Sequence, residues 1–178
     1  MSIEQDLQET VSFLQDFIDQ VDLGLSVESL CDDDFEALVR DDRTVLNWLG
    51  MHGHYLHEDS FHLGFRLVSE LQIDGAMLGV YASSDGKLHI FLIESLVRDE
   101  RHHPLNGRLT TLVVIAATYF LALREESVGA YVVQPHEDLV QHYERFGFEA
   151  TTGENVAMYA SYEALQEAQE RIMSELLN

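Results

Sequence analysis

The run from Leu88 to Phe148 constrains this chain more than any other stretch, because it reads strand, Gly-bearing turn, helix, strand, helix. Leu88 to Val97 (LHIFLIESLV) is apolar and rich in strand-forming residues. Arg98 to Gly107 (RDERHHPLNG) is a polar turn, and Leu109 to Leu123 is apolar on nearly every side, long enough for a buried helix. Val128 to Gln134 is a second apolar strand closed by Pro135, and His136 to Phe146 is a short amphipathic helix stopped at Gly147. A helix between two strands, with a turn at its start, is the βαβ unit of a parallel pair. The crevice beyond the carboxyl ends of such strands is the usual ligand site.

The flanking sequence dresses this unit. Ile3, Leu7, Val11, Leu14, Phe17, Ile18 and Val21 recur at helical spacing, with Gln5, Asp6, Glu9, Asp16 and Asp19 largely on the other face. That amphipathic helix either packs on the domain or offers a dimer or partner face. Leu25 to Cys31 alternates like a strand. Asp33 with Glu36 has the form of a helix start, and Phe35, Leu38 and Val39 give that helix a core face. Thr44 to Leu49 is expected to continue as a short helix stopped by Gly50. Met51 to His62 carries His52, His54, His57 and His62 at spacings that match no zinc pattern, so it is read as a polar loop. Phe65 to Gln72, Ala76 to Ser83 and Leu88 to Val97 read as three antiparallel strands, joined by turns at Asp74-Gly75 and Ser84-Asp85-Gly86. Gly153 to Ser161 should hold the last strand, around Val156 to Tyr159, and Tyr162 to Leu177 a terminal helix with Leu165, Ile172, Met173 and Leu176 on one side.

Charge narrows the partners. Ten basic residues stand against 32 acidic ones, a formal net charge of −22, and Lys87 is the only lysine. Affinity for nucleic acid comes largely from Lys and Arg on phosphates, so the charge argues against an electrostatic grip on that class. A cationic partner fits, such as a polyamine, an amino sugar or a basic protein segment; solubility or a saline habitat fits equally. The single cysteine, Cys31, leaves no internal disulfide and suits a reducing cytoplasm. No apolar run reaches the ~20 residues of a membrane span, and the polar, acidic start is not a signal peptide. A chain of 178 residues is enough for one domain. We expect a core over 25–161, a helical extension over 1–22 and a C-terminal helix over 162–178.

The segment HYERFGF, with Tyr143, Glu144, Arg145, Phe146, Gly147 and Phe148, resembles the end of the acetyl-CoA-binding core of the Gcn5-related N-acetyltransferases. That family closes its fourth helix with Tyr, three residues, Gly and an aromatic or aliphatic residue. The order of the preceding elements is also similar, and the likeness spans roughly Leu25 to Ser161. It implies an α/β (α+β) fold, a mixed central sheet with helices on both faces and with the N- and C-terminal helices as additions. The family's pyrophosphate loop runs Gln or Arg, two residues, Gly, one residue, Gly or Ala. Here two registers compete. One starts at Arg101 and puts Pro104 and Asn106 at the glycine positions. The other counts back from Gly107, puts His102 and Leu105 at the remaining positions, and is preferred because Gly107 then opens the helix at Arg108.

The resemblance implies acetyl-CoA as co-substrate, no metal, and a primary amine as acceptor, on a cationic small molecule or a protein. Arg101, His102, Gly107 and Arg108 would hold pyrophosphate. Leu96 and Val97 would bond pantetheine through backbone groups between splayed strands. Glu94 would be the base and Tyr143 the acid to the departing thiolate. His136 stands where the family often has Asn, seven residues before the tyrosine; it would contact pantetheine or cap the helix beginning near Glu137. Each has a structural counterpart: a packed tyrosine, the polar face of a half-buried strand, a solvated loop. The rival function is a catalytically silent acidic protein on the same fold that engages a basic protein partner. A third is an acyltransferase that takes its acyl group from a carrier-protein thioester. The terminal helices are candidate surfaces for a homodimer. The bare residues, without the resemblance, give an α/β fold with an anion-binding turn.

Overall fold

The turn at Ser84-Asp85-Gly86 forms as the sequence expects: Gly86 takes φ +67° and joins β3 (Gly75–Ala82) to β4 (Lys87–Ser95) in antiparallel register. The computed structural model describes residues 2–151 and 157–177. Around this hairpin the sheet grows to seven strands in the order β1-β2-β3-β4-β5-β7-β6, with β1 at Leu25–Glu28, β2 at Ser60–Leu67, β5 at Gly129–Val133, β6 at Glu149–Ala150 and β7 at Ala157–Ser161. The pairing of β4 with β5 is parallel and the other pairings are antiparallel. The expected Gly153–Val156 start of the last strand lies outside the described residues.

Helices cover both faces. On one face α1 (Ile3–Gln20), α4 (Leu109–Ala122) and α6 (Tyr162–Leu177) share a core with the sheet, built on Leu14, Phe17, Ile18, Phe61, Tyr81 and Phe120. On the other, α2 (Asp32–Arg40) and α3 (His52–Tyr55) enclose a smaller cluster of Phe35, Leu38, Trp48, Leu78, Leu92 and Leu96. The apolar stripe of α1 is thus spent inside the molecule, with Phe13 stacked on Tyr119 of α4 at 4.1 Å. Asp6 departs from the expected outer face. Its carboxylate is buried and takes a 2.7 Å ion pair from Arg124, whose guanidinium also lies over the Tyr81 ring. Among the described residues no helix is long and apolar enough to cross a membrane.

Several boundaries differ from the sequence reading, each for a local reason. β2 starts at Ser60, not Phe65, and takes in His62. That polar residue fits a strand because its Nδ1 accepts the Leu30 N–H at 2.9 Å. The expected Asp74-Gly75 turn is instead a connection over 68–74, with Ser69 at φ +73° and Gly75 already paired in β3. α2 begins one residue before Asp33, capped at Cys31, whose N–H donates to the Asp34 carboxylate. The helix expected over Thr44–Leu49 does not form; a 3₁₀ turn at Leu49–Met51 leads into α3. His136–Phe146 is a 3₁₀ turn (Glu137–Leu139) followed by the short α5 (Val140–Glu144).

His62 gives the fold a pH dependence. Burial pushes its imidazole down to about 4, against an ordinary value of 6.5. The neutral ring is held in the folded state, while the unfolded chain protonates near 6.5. Its contribution is therefore complete above pH 6.5 and is lost as pH falls toward 4. Between pH 7 and 5 it should cost about 2 kcal/mol. Urea titrations at the two pH values are expected to show that loss in the wild type, and a smaller one in His62→Gln, whose amide oxygen can still accept the Leu30 N–H. Equal losses in both chains would remove His62 as the cause.

Candidate active site

The site begins with a backbone irregularity. Opposite Leu78 and Gly79, β4 supplies Leu92 and Ile90, so Phe91 is an extra residue, a β-bulge. The extra residue inverts the alternation. Leu88 and Ile90 pack toward α4, whereas Leu92 and Leu96 pack toward α2 and α3, and Glu94 shares that second face. Gly79 is required beside the bulge, because a Cβ there would lie 2.7 Å from the His89 carbonyl oxygen. The last pair between β4 and β5 is Ile90 with Val132. Beyond it the two strands no longer pair, and a cavity of about 310 Å³ opens at their carboxyl ends, beneath α5 and the turn before α4.

Tyr143 projects into this cavity from α5. Its side chain is only 4% exposed, packed edge-on to Phe148, yet its hydroxyl makes no hydrogen bond among the described residues. Burial pushes its phenol up to about 12, so it carries its proton throughout the neutral range. His142, which the sequence reading passed over, lines the same cavity; burial and the neighbouring Arg145 push its imidazole down. Its only sequence signal is a place on the helix beside Tyr143 and three residues after Leu139, which also lines the cavity.

Glu94 is 4% exposed and its carboxylate is already engaged. Oε2 accepts the Val45 N–H at 2.7 Å, and Oε1 accepts the Trp48 indole N–H at 2.8 Å and the Leu46 N–H at 3.4 Å. Arg98 stands 3.7 Å from Oε2. These bonds explain why Thr44–Leu49 is not a helix, since the Val45 and Leu46 amides point at a side chain instead of at preceding carbonyls. They also hold Val45 and Leu46 at the cavity's lip. The Leu96 N–H donates to the Asp74 carbonyl at 2.8 Å. The Val97 N–H has only a 3.4 Å contact with the Ser95 hydroxyl, so of the two it is the less committed donor.

The turn between β4 and α4 is held by side chains. The Asn106 amide donates to the carbonyls of Val97, Arg98 and Glu100 at 3.0–3.2 Å. The Nδ1 of His103 accepts the Leu105 N–H, so the proton sits on Nε2 and is donated to Asp74 at 2.9 Å. Leu105, at a family glycine position, points inward over Gly75 with no exposure. Gly107 takes φ +75° and leaves open space where a Cβ would be. Arg108 is tethered to the Pro104 carbonyl at 2.8 Å. Arg101 and His102 are exposed on the turn and do not line the cavity. His136 caps the 3₁₀ turn through its Nδ1 and also lines the cavity. Of the four histidines at Met51–His62, His54 stacks on Phe91 and His52 lies by Phe35. Among the described residues no three metal-ligating side chains converge.

The chain has the fold of the Gcn5-related N-acetyltransferases. Solved structures similar to it include Ard1 from Thermoplasma volcanium, at 15% identity and TM-score 0.55 over 78% of this chain and 97% of that one. The spermidine N-acetyltransferase of Vibrio cholerae in complex with CoA and spermine matches at 12% identity and TM-score 0.56, covering 80% and 98%. The AtaT toxin bound to the C-terminus of the antitoxin AtaR and acetyl-CoA matches at 19% identity and TM-score 0.56, covering 81% and 97%. No protein-family model matches the sequence, and no curated protein matches it.

Proposed function

We propose that this protein transfers an acetyl group from acetyl-CoA to a primary amine. The observation that carries the reading is the cavity opened by the parting of β4 and β5, with the buried, protonated Tyr143 phenol on its wall. In the reaction the amine nitrogen attacks the thioester carbonyl and the C–S bond breaks. The amine loses one proton and the CoA thiolate gains one. Tyr143 donates to the sulfur as the bond breaks. A thiol titrates near 8.5, so a phenol at about 12 stabilises the thiolate by hydrogen bonding, and the proton shed by the amine completes the balance. Val97 N–H and His136 contact pantetheine, and Gly107 lets the chain approach the pyrophosphate. Glu94 serves as the anchor of the Val45–Trp48 lip, and the amine proton leaves through water at the open mouth. The acceptor is cationic, a reading supported by the net charge of −22, which concentrates cations at the surface.

A calorimetric titration with acetyl-CoA tests the assignment. Dissociation constants of about 1–50 μM are expected, weakened by Gly107→Trp, whose side chain would fill the approach. No heat up to about 1 mM acetyl-CoA would overturn it.

A further inference from the structure

Asp74 reads in the sequence as half of a turn signal, but it stands immediately before β3 and its polar groups reach four segments of the chain. Its N–H donates to the Phe65 carbonyl on β2, and its carbonyl accepts the Leu96 N–H just past β4, both at 2.8 Å. The carboxylate is divided between the other two segments. Oδ1 accepts from the Arg43 guanidinium at 3.2 Å, and Oδ2 accepts from His103 Nε2 at 2.9 Å. Asp74 is buried, and a buried carboxylate persists where each oxygen has its donor.

These two donors lead to two walls of the cavity where β4 and β5 part. Arg43 lies two residues before Val45, and Val45 and Leu46 form the lip. The Arg43 Nη2 also donates to the Ile73 carbonyl and to Asp41, each at 2.9 Å, which fixes the plane of the guanidinium. His103 accepts the Leu105 N–H on Nδ1, and Leu105 lines the cavity from the turn before α4. The Leu105 side chain also rests on Gly75, where a Cβ would lie 2.4 Å from its Cδ2. The lining residues do not include Arg43, Asp74 or His103. A continuous path thus runs behind the cavity, from the lip through Arg43, Asp74 and His103 to the Leu105 amide.

We propose that Asp74 is a positioning residue: through Arg43 it holds the lip, and through His103 the turn, at a fixed separation, so that one carboxylate sets both the acceptor side and the cofactor side of the site. The proposal rests on the acetyl-CoA reading above, with the amine entering at the lip and the diphosphate of the donor at the turn. Loss of either donor leaves one oxygen of a buried carboxylate unpaired. The carboxylate then shifts toward the partner it keeps, and the wall held by that partner moves with it. With both donors in place, neither wall has to be ordered when a ligand arrives.

The test reads each wall from a substitution behind the other. His103→Phe keeps a ring in place and removes both side-chain bonds; Arg43→Met keeps the stem and removes the guanidinium. In ligand-free His103→Phe, acrylamide quenching of Trp48, the single tryptophan and buried on the lip segment, should rise about twofold or more. In Arg43→Met, desulfo-CoA and its nucleotide half, 3′-phosphoadenosine 5′-diphosphate, should each bind about fivefold more weakly in calorimetric titrations, the scale of one hydrogen bond. The nucleotide half has no pantetheine with which to touch the lip, so an equal loss for the two ligands reaches the turn from behind. Arg43→Lys keeps the charge and should recover part of both affinities, and melting curves check that each variant is folded. Wild-type quenching in His103→Phe, wild-type affinities in Arg43→Met, or a loss confined to desulfo-CoA overturns this inference and leaves the transferase reading standing. So does a wild type that binds desulfo-CoA but not its nucleotide half. Absence of binding by desulfo-CoA and acetyl-CoA alike overturns both.

Discussion

Replacing Glu94 with glutamine is expected to lower the thermal midpoint by roughly 6–12 °C, the equivalent of about 3 kcal/mol in a chain of this size. Both carboxylate oxygens accept, one from Val45 and the other from Trp48 and Leu46. An amide can present only one oxygen. Whichever way it is turned, its NH₂ faces a donor, and a buried N–H loses its acceptor. Arg98 loses its carboxylate as well. The single tryptophan makes the effect visible, because Trp48 is 1% exposed and one bond from the substituted group. Its emission should shift to the red in Glu94→Gln below the melting transition. An unchanged midpoint and unchanged emission, together with a fall in kcat of about 10²-fold or more, would return Glu94 to the role of base.

Tyr143→Phe should have the opposite profile. Its hydroxyl makes no hydrogen bond in the described structure, so the midpoint should move by less than about 2 °C. The kcat for acetyl transfer to the best acceptor in an amine panel should fall by about 10²-fold or more, the usual scale for a lost hydrogen-bond donor to charge that develops in the transition state. KM for acetyl-CoA should change little, because the ring that packs on Phe148 is retained. A variant with wild-type kcat would leave Tyr143 as a packing residue. Its phenol, held up near 12, should not produce a basic limb below about pH 10.

The comparison of sequence with structure separates local from distant causes. The hairpin at Ser84-Asp85-Gly86, the helix after Gly107 and the parallel pair around it were legible, because period and turn chemistry act between near neighbours. The bulge was not: LHIFLIESLV is an apolar run with no Gly or Pro to mark an irregularity, and the inversion at Phe91 comes from the strand opposite, where Gly79 alone admits the His89 carbonyl. The Thr44–Leu49 segment has helical spacing and lost its helix to a carboxylate 49 residues away. Glu94 was legible as a polar residue in an apolar strand, but its donors were not. Arg108, Arg145 and Arg171 line one cavity from three separate elements, which no local pattern in the sequence could show.

The clamped turn before α4 changes what binding there should look like in a calorimeter. A glycine-rich loop must be ordered by the anion it holds, and that ordering costs entropy at the moment of binding. Here Asn106, His103 and the Arg108 tether have immobilised the backbone before any ligand arrives. Asn106→Ala would release three carbonyls at once and turn the same segment into one that must be organised anew. The free energy of ligand binding there would then weaken chiefly through its entropy, so side chains supply this turn with a rigidity that glycines could not.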